Sequence, residues 1–181
     1  MTLQDLKKVI ESKYLHYGDF TLSSGQKSNK YFDIKSMIGN FDQYVLEDAL
    51  TDKLHRDIDH NTYSCLGGLE LGGALIVAAL KPSNLHSKCF IRKGDTKRVH
   101  GLKKMIEGNP ISPILLVDDV VSTTKTLRDA ITTLAISKGG PYYIAGFLCV
   151  INRSNVVEIG GMPVFSLFTE EDFKVEVKNN G

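Results

Sequence analysis

The sequence has little net charge, few cysteines and no long apolar run, and each shortage excludes a class of protein. Its 22 lysines and arginines nearly balance 21 aspartates and glutamates, so the chain as a whole has no strong attraction for nucleic acid or anionic membranes. Cys65, Cys89 and Cys149 lack the spacing of metal ligands, which predicts buried, reduced thiols. No stretch is long enough to cross a membrane, and the N-terminus has no signal-peptide core. We therefore expect a cytoplasmic protein that binds neither nucleic acid nor membrane.

The apolar residues that are present alternate between the spacing of helices and that of buried strands. Apolar stripes predict one helix over residues 2–16 and another between Phe41 and Leu54. After these, short apolar runs such as ILLV at 114–117 alternate with helical patterns such as that of residues 126–138. This alternation is typical of an α/β fold, in which helices flank a parallel sheet on both faces. Since the sequence has no repeat, low-complexity tract or composition break, we expect a single domain over residues 1–181.

Three segments with functional chemistry, 67–73, 92–104 and 118–126, follow predicted strands. Ligands of open parallel sheets bind beyond the carboxyl ends of the strands, so the three segments can line one cleft. GGLELGG at 67–73 lets the backbone approach a ligand closely, but it has neither the P-loop nor the dinucleotide-binding pattern. The basic segment at 92–104 predicts a mobile loop that closes over a polyanion, with a solvated loop or a nucleic-acid patch as alternatives.

Two adjacent carboxylates, Asp118 and Asp119, follow the run ILLV and precede a run of hydroxyl residues. If the chain is still extended there, the two side chains point to opposite faces. The next residues lead into a helix N-terminus, where free N–H groups and the helix dipole favour a phosphate. Carboxylates for sugar hydroxyls, followed by a phosphate cradle, suit a ribose 5-phosphate. On these residues alone, a simple helix cap by Asp119 with Ser122 or Thr123 is an equal alternative.

Taken in order, the three segments resemble those of the type I phosphoribosyltransferases. LLVDDVV with its hydroxyls is similar to the family motif for phosphoribosyl pyrophosphate (PRPP). FTLSSGQKSNKYFDIK at 20–35 resembles the N-terminal motif of the members that act on orotate. RK…K…HG…IEG at 92–108 resembles the catalytic lid of those members, and INR at 151–153 resembles their Asp-Arg strand end.

The resemblance implies the type I phosphoribosyltransferase fold, with a small N-terminal hood of residues 1–40 over the base site. It implies transfer of ribose 5-phosphate from PRPP to orotate, giving orotidine 5-phosphate and pyrophosphate in pyrimidine biosynthesis. It also implies a magnesium ion held mainly by the oxygens of PRPP, with at most water-mediated contacts to Asp118 and Asp119. The implied assembly is a homodimer in which the 92–104 lid is shared between subunits.

The resemblance also implies roles for individual residues. The implied PRPP contacts are Glu70, Leu71, Gly72, Gly73, Arg92, Lys93, Lys97, His100, Asp118, Asp119, Val121, Ser122, Thr123, Thr124, Lys125 and Thr126. The implied orotate contacts are Lys27, Tyr31, Phe32, Ser122 and Arg153. The implied catalytic residues are Lys93, Lys97, His100, Asp118 and Asp119. His100 either protonates the departing pyrophosphate or completes the neutralisation of its charge.

The chain departs from the family pattern in three places. Thr124 and Lys125 stand where the phosphate loop normally has glycine, the lid is longer, and Asn152 replaces the aspartate before Arg153. A Cβ in the phosphate loop clashes if the backbone needs positive φ or a very close approach to phosphate, whereas Lys125 could supply a charge to that phosphate. The departures leave two alternatives open: a regulatory paralogue that binds PRPP or nucleotide with little catalysis, and a phosphoribosyltransferase for another base, such as a purine.

Overall fold

The computed structural model describes residues 2–22, 25–80, 86–92, 106–137 and 139–173. These residues form a two-stranded N-terminal sheet and a seven-stranded main sheet with helices packed on it. In chain order, the helices and strands are α1 (Leu3–Val9), β1 (Leu15–Thr21), β2 (Lys27–Phe32), α2 (Ile34–Ile38), α3 (Gln43–Asp57), β3 (Cys65–Leu69), α4 (Glu70–Ala79), β4 (Ser87–Ile91), β5 (Ile106–Gly108), β6 (Ile114–Val121), α5 (Thr124–Ile136), β7 (Ile144–Asn152), β8 (Glu158–Ile159) and β9 (Met162–Thr169). None of the helices in these ranges is long and apolar enough to cross a membrane.

The N-terminal hood consists of α1, the antiparallel pair β1–β2 and α2. Helix α1 begins at Thr2, whose hydroxyl accepts from the Asp5 amide at 3.2 Å while the Asp5 carboxylate accepts from the Thr2 amide at 2.9 Å. The predicted helix over residues 2–16 is in fact α1 followed by a π-helical turn, Ile10–Tyr14. It ends there because Leu15 takes an extended conformation and pairs with Phe32 across β1 and β2.

The main sheet has the order β5-β4-β3-β6-β7-β9-β8. The strands β4, β3, β6, β7 and β9 are parallel to one another, and the short strands β5 and β8 lie antiparallel at the two edges. From β3 the chain moves to β4 on one side and then crosses to β6 on the other, so the direction of winding reverses between β3 and β6. Such a reversal leaves a crevice at the carboxyl ends of the two strands.

The predicted fold class, a parallel sheet flanked by helices with a small N-terminal hood, is confirmed. The sequence did not predict α2, β5 and β8, which have 5, 3 and 2 residues and are too short to show a hydrophobic period. It also placed the end of β6 too early. The strand carries both aspartates, as expected, and continues to Val121 because Val120 and Val121 stay in register with Ile151 and Asn152 of β7.

The hydrophobic core covers both faces of the main sheet. Along β6, Leu115 and Val117 belong to the cluster on one face, and Ile114 and Leu116 belong to the cluster on the other. This explains why the strand is apolar at every position rather than at alternate ones. Residues of the hood share the first cluster, which fixes the hood on that face of the sheet; the single domain over residues 1–181 stays a prediction. The three cysteines are buried and free, as predicted.

Candidate active site

Five polar side chains follow directly after the five parallel strands of the main sheet. They are Glu70 after β3, Arg92 after β4, Ser122 after β6, Arg153 after β7 and Glu170 after β9. Because parallel strands end at a common edge, all five lie along the carboxyl edge of the sheet. The predicted segments 67–73 and 118–126 meet at this edge, at the reversal between β3 and β6.

Asp118 and Asp119 are buried in the last part of β6, with exposed fractions of 7% and 8%. They point to opposite faces, since alternate residues of a strand share a face. Asp118 lies on the same face as Leu116, beside its register partner Cys149. Burial raises the pKa of the Cys149 thiol, and the negative charge of Asp118 raises it further. Asp119 lies on the opposite face, toward the hood, and its amide donates to Asp118 Oδ1 at 3.0 Å.

The turn from β3 into α4 packs directly against Asp119. A Cβ on Gly72 would overlap the carboxylate carbon of Asp119, and a Cβ on Gly73 would overlap the carbonyl oxygen of Val117. The two glycines therefore allow α4 to start against β6. The turn is also strained, because Glu70 has a φ of 51°, a conformation that costs about 1 kcal/mol for a residue with a Cβ. Its neighbour Leu71 is exposed.

Asp119 is paired with a lysine of the hood. Lys35 Nζ, from α2, donates to Asp119 Oδ2 at 2.9 Å. Partial burial acts to lower the pKa of Lys35, but the attraction of Asp119 and the hydrogen bond to it outweigh that effect, so the pKa of Lys35 is raised. Sequence reasoning assigned Lys35 no role, although it is the last residue of the N-terminal motif at 20–35.

The hydroxyl run after β6 forms the first turn of α5. Thr123 is the N-cap, and its hydroxyl accepts weakly from the Lys125 amide at 3.4 Å. Thr124 and Lys125 lie in right-handed helix, so the backbone does not require glycine at either position. The Lys125 side chain turns outward and pairs with Asp129 one helical turn later at 2.8 Å, with 73% of the lysine side chain exposed. Ser122 and Thr126 are partly exposed beside this turn.

Arg153 joins the carboxyl edge of the sheet to the hood. Its Nε and Nη2 donate to the two carboxylate oxygens of Glu170 at 3.2 and 2.9 Å, and Nη2 also donates to Ser28 Oγ at 2.9 Å. Only 10% of the arginine side chain is exposed. Nη1 reaches the Lys30 carbonyl at 3.5 Å, which is a weak hydrogen bond, so Nη1 has the weakest hydrogen bond of the three guanidinium nitrogens. Sequence reasoning missed Glu170, although its place directly after a predicted strand was a usable signal.

Three other residues expected near a base, Lys27, Tyr31 and Phe32, lie on β2. Phe32 is only 3% exposed; its ring packs edge-on against Phe173, and the Arg153 guanidinium lies 5.8 Å from the ring centroid. Tyr31 is half-buried and packs against Phe20, and Lys27 is exposed, donating to the Thr21 hydroxyl at 2.7 Å. Their contacts with a base stay predictions.

An open cleft of about 410 Å³ lies beside the β3–α4 turn, between the start of α4 and the pair β4–β5. Its lining includes Glu70, Leu71 and Arg92. Arg92 forms an exposed ion pair with Glu107 of β5 at 3.2 Å, and exposed pairs of this kind are weak enough to exchange for a ligand. The other predicted lid residues, Lys93, Lys97 and His100, lie outside the described residues.

The described residues do not form a dedicated metal cage. No group of three or more histidine, cysteine, aspartate or glutamate side chains in the described ranges is placed to hold a metal ion. Asp119 is already engaged by Lys35.

The fold and this edge define the class of the protein. A mostly parallel sheet with a glycine turn and a pair of carboxylates at its reversal, beneath a hood, is the arrangement of the type I phosphoribosyltransferases. The solved orotate phosphoribosyltransferase of Aeropyrum pernix superposes with a TM-score of 0.71 at 24% identity, covering 93% of this chain and 96% of that one. The solved orotate phosphoribosyltransferase of Mycobacterium tuberculosis in complex with PRPP superposes with a TM-score of 0.69 at 22% identity, covering 96% of this chain and 99% of that one.

The sequence comparison gives the particular family. The chain is 34% identical over 151 residues to the orotate phosphoribosyltransferase of Pyrococcus abyssi. The aligned residues cover 82% of this chain and 79% of the relative. No family model matches the sequence. The chain belongs to the orotate phosphoribosyltransferase family.

Proposed function

We propose that the chain transfers ribose 5-phosphate from PRPP to N1 of orotate, giving orotidine 5-phosphate and pyrophosphate in pyrimidine biosynthesis. The observation that carries the proposal is the placement of Asp118 and Asp119 at the reversal of the sheet, directly before the N-terminus of α5. In a chain of this family, that order of carboxylates and helix N-terminus matches the order of sugar and 5-phosphate in PRPP.

The sugar and its 5-phosphate bind at the junction of β6 and α5. Asp118 and Asp119 accept hydrogen bonds from the ribose hydroxyls in addition to those from the Asp119 amide and Lys35, since a carboxylate has about four lone-pair sites. The phosphate accepts hydrogen bonds from N–H groups between Val121 and Thr126 and from the hydroxyls of Ser122, Thr123, Thr124 and Thr126. Because the helix dipole also favours an anion there, this binding needs no glycine-rich loop.

The pyrophosphate group leaves through the cleft beside the β3–α4 turn. Glu70, Leu71 and Arg92 line this cleft. The proposal adds the backbone of Gly72 and Gly73 as a contact of the pyrophosphate, with Lys93, Lys97 and His100 as its cations. As the C1–oxygen bond of PRPP breaks, positive charge develops on the ribose ring and negative charge on the departing pyrophosphate. Cations aimed at the leaving group and exclusion of water then lower the barrier. His100 either donates a proton to the pyrophosphate or adds to the neutralisation.

The proposal includes a magnesium ion that binds together with PRPP. Magnesium keeps near-octahedral oxygen ligands and is commonly held by phosphates and water with few protein groups. In this proposal, Asp118 and Asp119 would contact the ion only through water. When bound, the ion neutralises part of the pyrophosphate charge.

The base binds under the hood. The Nη1 group of Arg153 faces the carboxylate of orotate, and Tyr31 and Phe32 flank the ring, with Lys27 at the entrance. Because Glu170 already neutralises much of the Arg153 charge, the arginine selects the substrate by the geometry of its donors as much as by its charge. The proposal also includes a cytoplasmic location, in keeping with three free cysteines, and a homodimer that shares the 92–104 lid.

A turnover assay with a panel of bases tests the proposed function. Purified protein with PRPP and magnesium is expected to consume orotate and release one pyrophosphate for each orotate, with uracil and adenine turned over far more slowly. Absence of orotate turnover at high protein concentration contradicts the proposal. In that case, PRPP binding by calorimetry without pyrophosphate release would favour the regulatory paralogue, and turnover of adenine would favour an enzyme for another base.

A further inference from the structure

Within the part of the chain that the structure describes, the cation on the Asp119 carboxylate comes from a segment far from it in sequence. Lys35 is separated from Asp119 by 84 residues, and their 2.9 Å contact joins α2 of the hood to the end of β6. The lysine side chain is 36% exposed and the aspartate side chain is 12% exposed. The pair therefore lies at the border between the interior and the crevice at the carboxyl edge.

Three contacts hold the Asp119 region in place. Gly72 lies against its carboxylate on the α4 side, where a Cβ would overlap it, and Lys35 binds Oδ2 from the hood side. The Asp119 amide is tied to the Asp118 carboxylate. A carboxylate held between a helix backbone and an ammonium group keeps its remaining lone pairs in a fixed direction.

The ammonium group of Lys35 also limits which ligands the Asp119 carboxylate can bind. A sugar hydroxyl is neutral and can donate to a carboxylate that already binds lysine. A divalent cation at the same carboxylate would lie within a few ångströms of the Lys35 charge, and like charges at that separation repel strongly in a partly buried site. Direct metal coordination by Asp119 therefore requires the lysine to leave.

We propose that Lys35 is a positioning residue, which aims the Asp119 carboxylate at a sugar hydroxyl and prevents a divalent cation from binding that carboxylate directly. The metal then enters with the substrate rather than ahead of it. The role in sugar binding rests on the proposed function, whereas the exclusion of metal follows from the ion pair alone and can be measured without any substrate.

Manganese binding to the substrate-free protein tests the exclusion. Lys35→Met keeps the length and apolar stem of the side chain but removes its charge, so we expect this variant to bind Mn²⁺ roughly tenfold or more tightly than the wild type, by calorimetry or by the electron paramagnetic resonance of free Mn²⁺. Lys35→Arg should behave like the wild type. Lys35→Met combined with Asp119→Asn should lose the acquired site. Equal Mn²⁺ affinity of the wild type and Lys35→Met would overturn the proposal.

Lys13→Met is the matched control, because Lys13 also contacts an aspartate, Asp42, at 2.9 Å, but away from the crevice. It should leave Mn²⁺ affinity unchanged; an equal gain in this variant would show a general charge effect and overturn the proposal. Lys35→Gln replaces Lys35→Met if the latter does not fold, as judged by thermal unfolding.

Kinetics separate positioning from a merely structural role. With PRPP as the varied substrate, Lys35→Met should lower kcat/KM at least tenfold, and Lys35→Arg should recover most of it. A fall in melting temperature without a change in kcat/KM would contradict positioning. If the wild type itself turns over no orotate, the proposed function fails, while the Mn²⁺ comparison still decides whether Lys35 controls metal access.

Discussion

The two halves of the candidate active site are assembled in different ways. The sugar-phosphate half, residues 118–126, comes from one continuous stretch, in which a strand ends and a helix begins. The base half consists of Lys27–Phe32, Arg153 and Glu170, and its hydrogen bonds join residues as far apart as Ser28 and Arg153, 125 positions along the chain.

This difference indicates how each half keeps its geometry. Backbone hydrogen bonds of β6 and α5 set the sugar-phosphate half, so most single side-chain changes there should alter binding more than shape. The base half depends on the two hydrogen bonds between Arg153 and Glu170, since they hold the arginine that also binds Ser28 of the hood. A change to the pair should therefore alter shape and binding together.

The largest effect is expected where the β3–α4 turn packs against Asp119 of the sugar-phosphate half. In Gly72→Ala, the new Cβ overlaps the Asp119 carboxylate, which must move away from its position against α4. We expect a loss of at least tenfold in kcat/KM for PRPP, together with roughly 1–3 kcal/mol of unfolding free energy. Gly39→Ala is the control, since its Cβ would meet only an ordinary contact at 3.7 Å. Retention of full activity by Gly72→Ala would show that Asp119 does not need this position.

The next largest effect is expected in the base half. Arg153→Ala leaves Glu170 without its partner and should cost about 2 kcal/mol of unfolding free energy in urea titrations. It should also raise the KM for orotate more than tenfold, with a smaller change in the KM for PRPP. Glu170→Gln keeps an acceptor for the arginine but removes the competing charge, so the KM for orotate should stay equal or fall. A KM that rises as much in Glu170→Gln as in Arg153→Ala would contradict recognition of the base by Arg153.

A small effect is expected at Lys125, the residue that departs from the family pattern in the sugar-phosphate half. Its ammonium group pairs with Asp129 on the exposed side of α5, and such helix pairs contribute roughly 0.3–0.5 kcal/mol. Lys125→Ala should therefore weaken PRPP binding by less than about threefold in calorimetry, as should the control Asp129→Ala. A tenfold loss in Lys125→Ala alone would show that the lysine turns toward the phosphate when PRPP binds.

The smallest effect is expected outside both halves, where Lys13 and Tyr14 attach the hood to Asp42 at the start of α3. The hydrogen bond from Lys13, followed by that from Tyr14, holds the pKa of Asp42 below its ordinary value of 3.8. These hydrogen bonds therefore stabilise the folded protein fully when the pH is above the ordinary pKa of Asp42. The stabilisation is lost as the pH falls through the lowered pKa of the folded state.

Asp42→Asn should lower the unfolding free energy near pH 7 by less than about 1 kcal/mol, and the difference from the wild type should shrink in acid. Urea titrations at two pH values measure this, and both KM values should stay unchanged. A difference that grows in acid, or a raised KM for orotate, would show that this attachment acts on the base half.

The same contrast explains how far the sequence could predict the structure. The α/β alternation is a local pattern, so the apolar runs were sufficient to predict it. The order of Asp118, Asp119 and the hydroxyls is also local, and it predicted a strand followed by a helix N-terminus; the roles of these residues in binding PRPP stay predictions. The partners Lys35 and Glu170 were missed because an ion pair between distant segments leaves no local period. The outward turn of Lys125 was also unpredictable, since it depends on Asp129, which is an ordinary exposed helix residue by pattern.

The most direct test of the central claim is a crystal structure of this protein with PRPP and magnesium. We expect the ribose hydroxyls within about 3.2 Å of the carboxylates of Asp118 and Asp119, and the 5-phosphate on the first-turn N–H groups of α5. Lys35 should remain on Asp119, and the metal should be held by PRPP and water. A ribose that contacts neither aspartate, or a 5-phosphate bound away from α5, would contradict the account.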